Sequence, residues 1–322
     1  MKTIRLPALH ADNALGFLAA VGTLRLVAQD LGDREARLGW PDGPYEGGAL
    51  DSRFSTVDEL VVAIDSIVSA MNDTGQLLPG VTGFPPRGES SGSDPTSGFS
   101  IADGRGMAAS ALSNPGLATW CQAVVGLVPP IDRKTREAGS LERNRFLRAG
   151  PGTVWVPRTL TSVLALTSPL TLHEAFIGWR RHEGFIGAYL DHRADVDKAT
   201  GQAKKAPPKR GVPGATFLAL MSLPVFPVRS PGPFLAETVG WSSTRTVPKG
   251  FLWPVWAEML EIAAISALVD HPEVARTAAD PRQDGLRLEG LGLTAVFRSR
   301  RISAGNNDAA VSPPTALWES HR

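Results

Sequence analysis

The chain has 322 residues, of which 43% are hydrophobic and 20% charged, a composition that can bury a sizeable core and that excludes a wholly disordered protein. A single cysteine, Cys121, excludes an intramolecular disulfide framework and a multi-cysteine zinc site. No apolar run reaches the roughly 18 residues of a membrane span, and no signal segment is recognisable, so we expect a cytoplasmic protein without a membrane partner.

The net charge is only +1, but it is distributed unevenly along the chain. Residues 1–130 hold 8 Lys and Arg against 14 Asp and Glu, whereas residues 131–322 hold 25 against 18. We therefore divide the chain into an N-terminal part, residues 1–130, and a basic C-terminal part, residues 131–322. The asymmetry indicates that the second part faces a polyanion, although two solvated surfaces that differ by chance would give the same numbers.

The first part begins with an alternation of short strands and helices. Asp12 or Asn13 is a good N-cap, because its side-chain oxygen can accept from an unpaired amide of the first helical turn. The helix that follows, residues 14–29, has apolar side chains at three- and four-residue spacing. It also contains Gly16 and Gly22, and glycines kept inside a helix usually allow another backbone to approach closely. The other elements predicted here are strands at residues 3–9, 37–40 and 48–50 and a helix at residues 56–72.

Segments rich in helix-breaking residues divide the rest of the chain. Residues 85–98 and 191–214 lack large apolar side chains, so we expect a surface loop and a long flexible loop. The periodic segments are helices at residues 107–125, 171–189 and 254–270, the last with a proline in its first turn, and a strand at residues 286–297. Together these patterns predict a mixed α+β fold, as one large or two smaller domains.

The helix predicted at residues 171–189 contains a short internal echo. The sequence His-Glu-Ala-Phe-Ile-Gly at residues 173–178 recurs as His-Glu-Gly-Phe-Ile-Gly at residues 182–187. An offset of nine residues corresponds to about 900° around an ideal helix, which places the two copies on opposite faces. Two matching histidines aimed at one metal ion are therefore not expected.

No linear motif of a known catalytic or metal site occurs in a supporting context. The zinc hydrolase pattern fails at His173 and at His182, because Ile177 and Ile186 stand where the second histidine is needed. Residues 88–92 match Gly-x-Ser-x-Gly, but they lie in a polar loop instead of between a strand and a helix. We therefore predict binding instead of catalysis, with no catalytic residue, metal ligand or cofactor.

Two weaker clusters leave an enzyme open as an alternative. The densest group of candidate metal ligands is Asp191, His192, Asp195 and Asp197, at a helix end that runs into the flexible loop without the glycine turn of a calcium site. His10 beside Asp12 suits a general base oriented by a carboxylate, whereas an ordinary surface histidine near a helix cap explains the pair more simply.

Nucleic-acid contact has broader support, from four basic groups in the second part of the chain. Arginine presents a fixed fork of donors suited to phosphate oxygens, and such contacts supply most sequence-independent affinity. The predicted phosphate contacts are Arg180, Arg181, Lys204, Lys205, Lys209, Arg210, Arg298, Arg300 and Arg301. Arg298 and Arg300 share one face of a strand. Trp179 and Trp241 are candidates for stacking on bases, and the alternative for each is a role in the core. The alternative for the basic groups is an ordinary solvated surface.

One stretch resembles a known family of antiviral proteins. Asn13-Ala-Leu-Gly-Phe-Leu-Ala-Ala-Val-Gly-Thr-Leu-Arg-Leu26 is similar to the N-terminal element of non-catalytic subunits from type I-G (formerly I-U) CRISPR systems, either the large-subunit-like family or a smaller accessory family. The runs at residues 214–221, 226–227 and 251–256 follow the order and spacing of the smaller family. Ala14 departs from the pattern, which has proline there. The resemblance implies a subunit of an RNA-guided interference complex and transfers no catalytic residue.

These observations lead to one hypothesis and two alternatives. The hypothesis is a nucleic-acid-binding, non-catalytic subunit of a CRISPR-type complex, whose partners are RNA, DNA or both and the other subunits of a ribonucleoprotein. The first alternative is a metal-dependent nuclease with a site assembled in space from residues such as Asp191, His192 and Asp195. The second is a protein-interaction scaffold that does not touch nucleic acid.

Overall fold

A computed structural model describes most of the chain. The described residues are 1–81, 106, 108–109, 111–112, 114–126, 128, 131, 134–136, 141–142, 144–147, 156–185, 187, 190–193, 210–242, 250–279, 285–304 and 307–320. Within them, the prediction of a mixed α+β fold is confirmed, because helices alternate with small antiparallel sheets along the chain.

The described helices and strands are short and numerous. The helices are α1 (Ala14–Arg25), α2 (Val57–Thr74), α3 (Pro115–Val124), α4 (Val156–Leu164), α5 (Pro169–Ile177), α6 (Pro213–Met221), α7 (Ile262–Val269), α8 (Pro272–Ala279) and α9 (Gly285–Gly290). The strands are β1 (Lys2–His10), β2 (Arg37–Gly39), β3 (Gly47–Ser52), β4 (His182–Glu183), β5 (Arg210–Gly211), β6 (Val228–Gly232), β7 (Leu235–Thr238), β8 (Trp241–Ser242), β9 (Gly250–Trp256), β10 (Leu293–Ala304), β11 (Asn307–Val311) and β12 (Thr315–Glu319).

Helix α1 forms where the sequence predicts it and is buried along its whole length. The Asn13 side chain caps it by accepting a hydrogen bond from the Leu15 amide at 3.0 Å. A Cβ atom at Gly22 would lie 1.8 Å from the Leu218 carbonyl oxygen of α6, so only glycine permits this contact. The close backbone approach that the two glycines predict is therefore confirmed. The neighbour of Gly22 is α6, whereas a Cβ atom at Gly16 would lie 2.5 Å from the His10 carbonyl oxygen.

Helix α6 is the centre of the helical layer. Every one of its residues is buried. On the side of α5, a Cβ atom at Gly214 would lie 2.0 Å from the Thr171 carbonyl oxygen. Helix α6 is thus held between α1 and α5 by two glycine contacts, one at its first turn and one at Leu218 in its second half.

Two antiparallel sheets flank these helices. One has the strand order β1-β3-β2, and the larger has the order β11-β10-β9-β8 with β12 also paired to β10. Tryptophan side chains of β9 join the two: the Trp253 indole donates to the Ala11 carbonyl at 2.8 Å, and the Trp256 indole donates to the Leu38 carbonyl at 2.9 Å. The ring of Phe17 from α1 lies between them, 6.0 Å from each tryptophan ring.

Helix α1 ends earlier than predicted and continues as a π-helical turn, Leu26–Asp30. The Leu31 amide donates to the Leu26 carbonyl at 2.9 Å, which is the five-residue spacing of a π turn. The same spacing pairs the largely buried Arg25 guanidinium with Asp30 at 3.1 Å.

The helix predicted at residues 171–189 is wrong beyond Ile177. Gly178 ends α5 in an extended conformation, with φ −174° and ψ 120°. The second copy of the echo begins on strand β4, which pairs with β5. The two histidines therefore do not lie on one helix, and the expected opposite faces do not apply.

The helix predicted at residues 254–270 is also wrong in its first half. Residues up to Trp256 form β9, and the helix starts only at Ile262. Among the described residues, β8 pairs with Gly250 and Phe251 of β9, and Pro254 is paired with β10 alone. Its missing N–H group is therefore tolerated. The strand predicted at residues 286–297 begins late, at Leu293, because α9 and the left-handed Gly292 (φ 75°) precede it.

Candidate functional site

A cleft of about 760 Å³ opens between the N-terminal segment and the chain that follows α5. Its volume lies in the ordinary range for sites that bind small molecules, about 300–1,000 Å³. Its ionisable lining comes from distant parts of the chain: His10, Asp12, Arg181, His192 and Arg193. Both weak clusters of the sequence, the one at residues 10–12 and the one at residues 191–192, thus meet in one place.

His10 lies at the end of β1, with its ring fixed by the backbone. Its Nδ1 atom is 2.6 Å from the Tyr45 carbonyl oxygen. A carbonyl oxygen only accepts hydrogen bonds, so Nδ1 carries the proton and donates. When the ring is neutral, Nε2 is therefore its basic nitrogen, and it remains available to a ligand.

Asp191 is buried and holds two parts of the cleft wall in place. Its Oδ2 atom accepts a hydrogen bond from Nε of Arg181 at 3.0 Å, and Nη2 of Arg181 lies 3.0 Å from the same oxygen as an ion-pair contact. Its Oδ1 atom accepts from the Arg193 amide at 3.0 Å, which fixes the turn that carries His192. Asp191 is therefore a positioning residue for the cleft, and its charge compensates much of the Arg181 charge.

The ionisable groups of the cleft act on one another. Burial lowers the pKa of His192, opposed by the charge of Asp191 and assisted by that of Arg193. Burial also raises the pKa of Asp12, while His10, Arg193 and His192 act to lower it. With both imidazoles neutral, the formal charges of the two arginines and of the two aspartates cancel. The cleft becomes positive only when an imidazole or Asp12 takes up a proton.

Aromatic side chains complete the cleft. Trp179 lines it and is half-buried, with its indole N–H donating to the Ala175 carbonyl at 3.1 Å. Tyr45 lines the opposite part, and the hydrogen bond from its hydroxyl to Glu319 raises the pKa of Tyr45 to about 12. The second predicted stacking residue, Trp241, is buried, and its ring centroid lies 5.4 Å from that of Phe146. Trp241 thus has the core role that was its alternative.

The strand pair β10–β12 adjoins the cleft. Tyr45 contacts the Phe297 ring of β10 at 5.9 Å between centroids. Pro314 lines the cleft, and the next residue, Thr315, pairs with Arg298. Burial and the neighbouring charge of Arg300 lower the pKa of Arg298, as expected for two arginines on one strand face.

The predicted phosphate contacts fall into different environments. The Arg180 side chain is 74% exposed and lies 3.9 Å from Glu174. Arg210 forms an ion pair with Glu183 at 2.6 Å. Arg298 is buried, whereas Arg300 is exposed on the same strand. Lys204, Lys205, Lys209 and the side chain of Arg301 lie outside the described residues, as do Asp195 and Asp197.

Sequence reasoning missed Arg193 and the meeting of His10 with His192. The local signals were a histidine within two residues of an aspartate in each segment, but nothing in either segment indicates that the two histidines are neighbours in space. Among the residues that the structure describes, no group of three or more His, Cys, Asp and Glu side chains is placed to hold a metal ion.

Comparisons with known proteins add no assignment. No protein-family model matches the chain, and a search of the curated proteins gives no significant match. None of the helices in the described part of the chain combines the length and the apolar character needed to cross a membrane.

Proposed function

We propose that the protein binds nucleic acid as a non-catalytic subunit of a CRISPR-type antiviral interference complex, where it contacts backbone phosphates of guide or target. The observation that carries the proposal is the convergence of Arg181, Arg193 and two histidines in a nucleotide-sized cleft. Guanidinium and imidazolium groups are donors for phosphate oxygens, and the half-buried Trp179 offers a ring on which a base can stack.

The basic residues near the cleft extend this surface. Arg180 projects into solvent beside Arg181, and Arg300 is exposed on β10, close to the strand pairing that ends at the cleft. A strand with its end in the cleft would therefore meet a further arginine, whether it leaves towards Arg180 or towards Arg300. The placement in a CRISPR-type complex is supported by the resemblance of residues 13–26, which form the buried helix α1 and its end.

The salt dependence of nucleic-acid binding tests the phosphate contacts. Each phosphate that a cation neutralises adds about one to the slope of log K against log salt. We expect the triple variant Arg180→Gln, Arg193→Gln, Arg300→Gln to lower the slope by about 2 to 3, measured by fluorescence anisotropy with single-stranded RNA, single-stranded DNA and duplexes.

The matched control replaces three exposed arginines that do not line the cleft, Arg34, Arg37 and Arg287, by glutamine. Its slope should equal that of the unmodified protein, and equal slopes for both triple variants would contradict the proposal. A third variant neutralises Lys204, Lys205, Lys209 and Arg210 together. An unchanged slope there would remove residues 204–210 from the interface.

Membership of a complex is tested by the RNA that the protein retains. The tagged chain is purified after expression with the genes that neighbour its own, and the bound RNA is sequenced. Guide RNAs that carry repeat sequence are expected. A stoichiometric protein partner that survives nuclease treatment and high salt, with no such RNA, would instead support a protein-interaction scaffold.

A further inference from the structure

We infer that the cleft is a proton-coupled site for the phosphate monoester of a nucleotide, with the phosphate between Arg181 and Arg193 and the base on Trp179. The inference rests on the proposed function, because it names the ligand of the same cleft. The ligand chemistry is shared by a free nucleoside monophosphate and by a strand that ends in a 5′-phosphate.

The charges of the cleft favour a monoester over an internal phosphodiester. With neutral imidazoles the cleft has no formal net charge, since Asp12 and Asp191 offset the two arginines. A phosphate monoester carries about −1.5 to −2 charges at pH 7, whereas an internal phosphodiester carries one. Protonation of His10 and His192 supplies two positive charges, which matches the monoester.

Both histidines can take up these protons when the ligand enters. His192 faces Asp191, Arg193, Asp12 and Arg181, and its burial among them keeps the ring neutral in the empty cleft. An anion placed beside the ring reverses that balance, because an opposite charge at short distance favours the charged form.

His10 has a different route to the same result. Its Nδ1 atom already donates to the Tyr45 carbonyl, so a proton added at Nε2 makes the ring a donor at both nitrogens. Asp12, two residues further along the same segment, is the carboxylate that interacts electrostatically with it. The Tyr45 hydroxyl does not compete for the ligand, since it donates to Glu319.

Calorimetry at pH 7 tests the inference with three probes: AMP, a 5′-phosphorylated RNA decamer and the same decamer with a 5′-hydroxyl. Titrations in phosphate-free buffers of different ionisation enthalpy give the number of protons taken up. We expect net proton uptake with the two phosphorylated probes, affinity that rises from pH 8 to 6.5, and tighter binding of the phosphorylated decamer by about tenfold, the worth of one charged hydrogen bond.

Two variants separate the cleft from general effects. His10→Gln with His192→Gln should abolish the proton uptake, whereas the control His271→Gln, outside the cleft, should keep it. Arg193→Gln changes an exposed side chain, so its fold should persist while AMP affinity falls about tenfold. Uptake that persists in the double histidine variant, or an unchanged AMP affinity in the arginine variant, would overturn the inference.

The probes also separate this inference from the proposed function. Salt-dependent binding of both decamers with equal affinity and no proton uptake would sustain nucleic-acid binding and reject the monoester site. Binding of AMP with proton uptake, but of neither decamer, would sustain the site and reject nucleic-acid binding. Tighter binding of the phosphorylated decamer than of AMP assigns a strand end as the ligand, and the reverse assigns a free nucleotide; both sustain the site.

Discussion

Asp191 does not line the cleft, but its carboxylate holds two parts of the cleft wall, the Arg181 side chain and the turn before Arg193. Both of its oxygens are occupied by these contacts, and the carboxylate is removed from solvent. The residue proposed as a metal ligand for a nuclease thus has a structural partner for each oxygen. The sequence shows Asp191 as a candidate ligand. It does not show that Arg181, ten residues earlier, is its partner, because the chain between them has no helical or strand periodicity from which the contact could be predicted.

The lowered pKa of His192 predicts a loss of stability as the pH falls. Below its ordinary pKa of about 6.5 the unfolded chain binds a proton that the folded protein resists, so the free energy of unfolding decreases with decreasing pH. Each unit by which the folded pKa is lowered is worth about 1.4 kcal/mol. His192→Gln should therefore show a flatter pH dependence of stability between pH 7.5 and 5.5, measured by urea unfolding.

The control for this comparison is His173→Gln, a side chain that is 45% exposed and lies 3.6 Å from Asp58. It should leave the steeper dependence of the parent protein in place. The raised pKa of Asp12 acts in the opposite sense, because the folded protein binds that proton more readily than the unfolded chain does. It therefore stabilises the folded state as the pH falls towards the ordinary aspartate pKa of 3.8. Parallel curves for parent and His192→Gln would show that His192 titrates normally.

At the scale of elements, local signals succeeded where the chain obeys local rules. Asn13 caps α1 and Thr56 caps α2, as the residue types indicate. The helix predicted from Pro254 was wrong, because a proline at the start of an apolar run suits a first helical turn as well as a strand position with one neighbouring strand. Which of the two applies depends on β8 and β10, whose pairing is not encoded near residue 254.

The glycine contact between α1 and α6 predicts a large effect from a small change. Gly22→Ala would place a methyl group 1.8 Å from the Leu218 carbonyl oxygen, and both helices are buried, so neither can move away freely. We expect destabilisation by about 3 kcal/mol, the upper end of the usual range for overpacking. Urea unfolding monitored by circular dichroism measures it.

Gly290→Ala is the matched control, since a Cβ atom there meets nothing within 4 Å and alanine favours the helical conformation of α9. Its stability should remain within about 1 kcal/mol of the parent or rise slightly. Equal stability of both variants would mean that α1 and α6 are held apart more widely than the backbone contact indicates.

At the scale of the whole molecule, the hydrophobic core crosses the boundary that the charge distribution places at residue 130. Helix α1 packs on α6, and Trp253 and Trp256 of β9 donate hydrogen bonds to backbone carbonyls of the first 40 residues. Charge asymmetry describes the surface, so it carries no information about which buried faces meet. The number of domains was left open by the sequence for the same reason.

This shared core predicts that residues 1–130 do not fold alone. Separated from the rest, α1 would expose the buried face that α6 covers in the whole protein. We expect the fragment to show no cooperative unfolding transition and poorly dispersed amide signals in NMR spectra, with the full chain as the folded reference. A sharp transition in the fragment would establish an independent N-terminal domain.

Because the cleft is built from distant segments of the chain, it can form only late in the synthesis of the protein. His10 leaves the ribosome early, but His192 follows only after roughly 10–40 s at ordinary rates of elongation. Pro314, on the far wall, comes later still. A nascent chain therefore carries one wall of the cleft without the other, and an interrupted chain never completes it. The ligand that we propose for this cleft would therefore be bound only by chains whose synthesis has passed both segments.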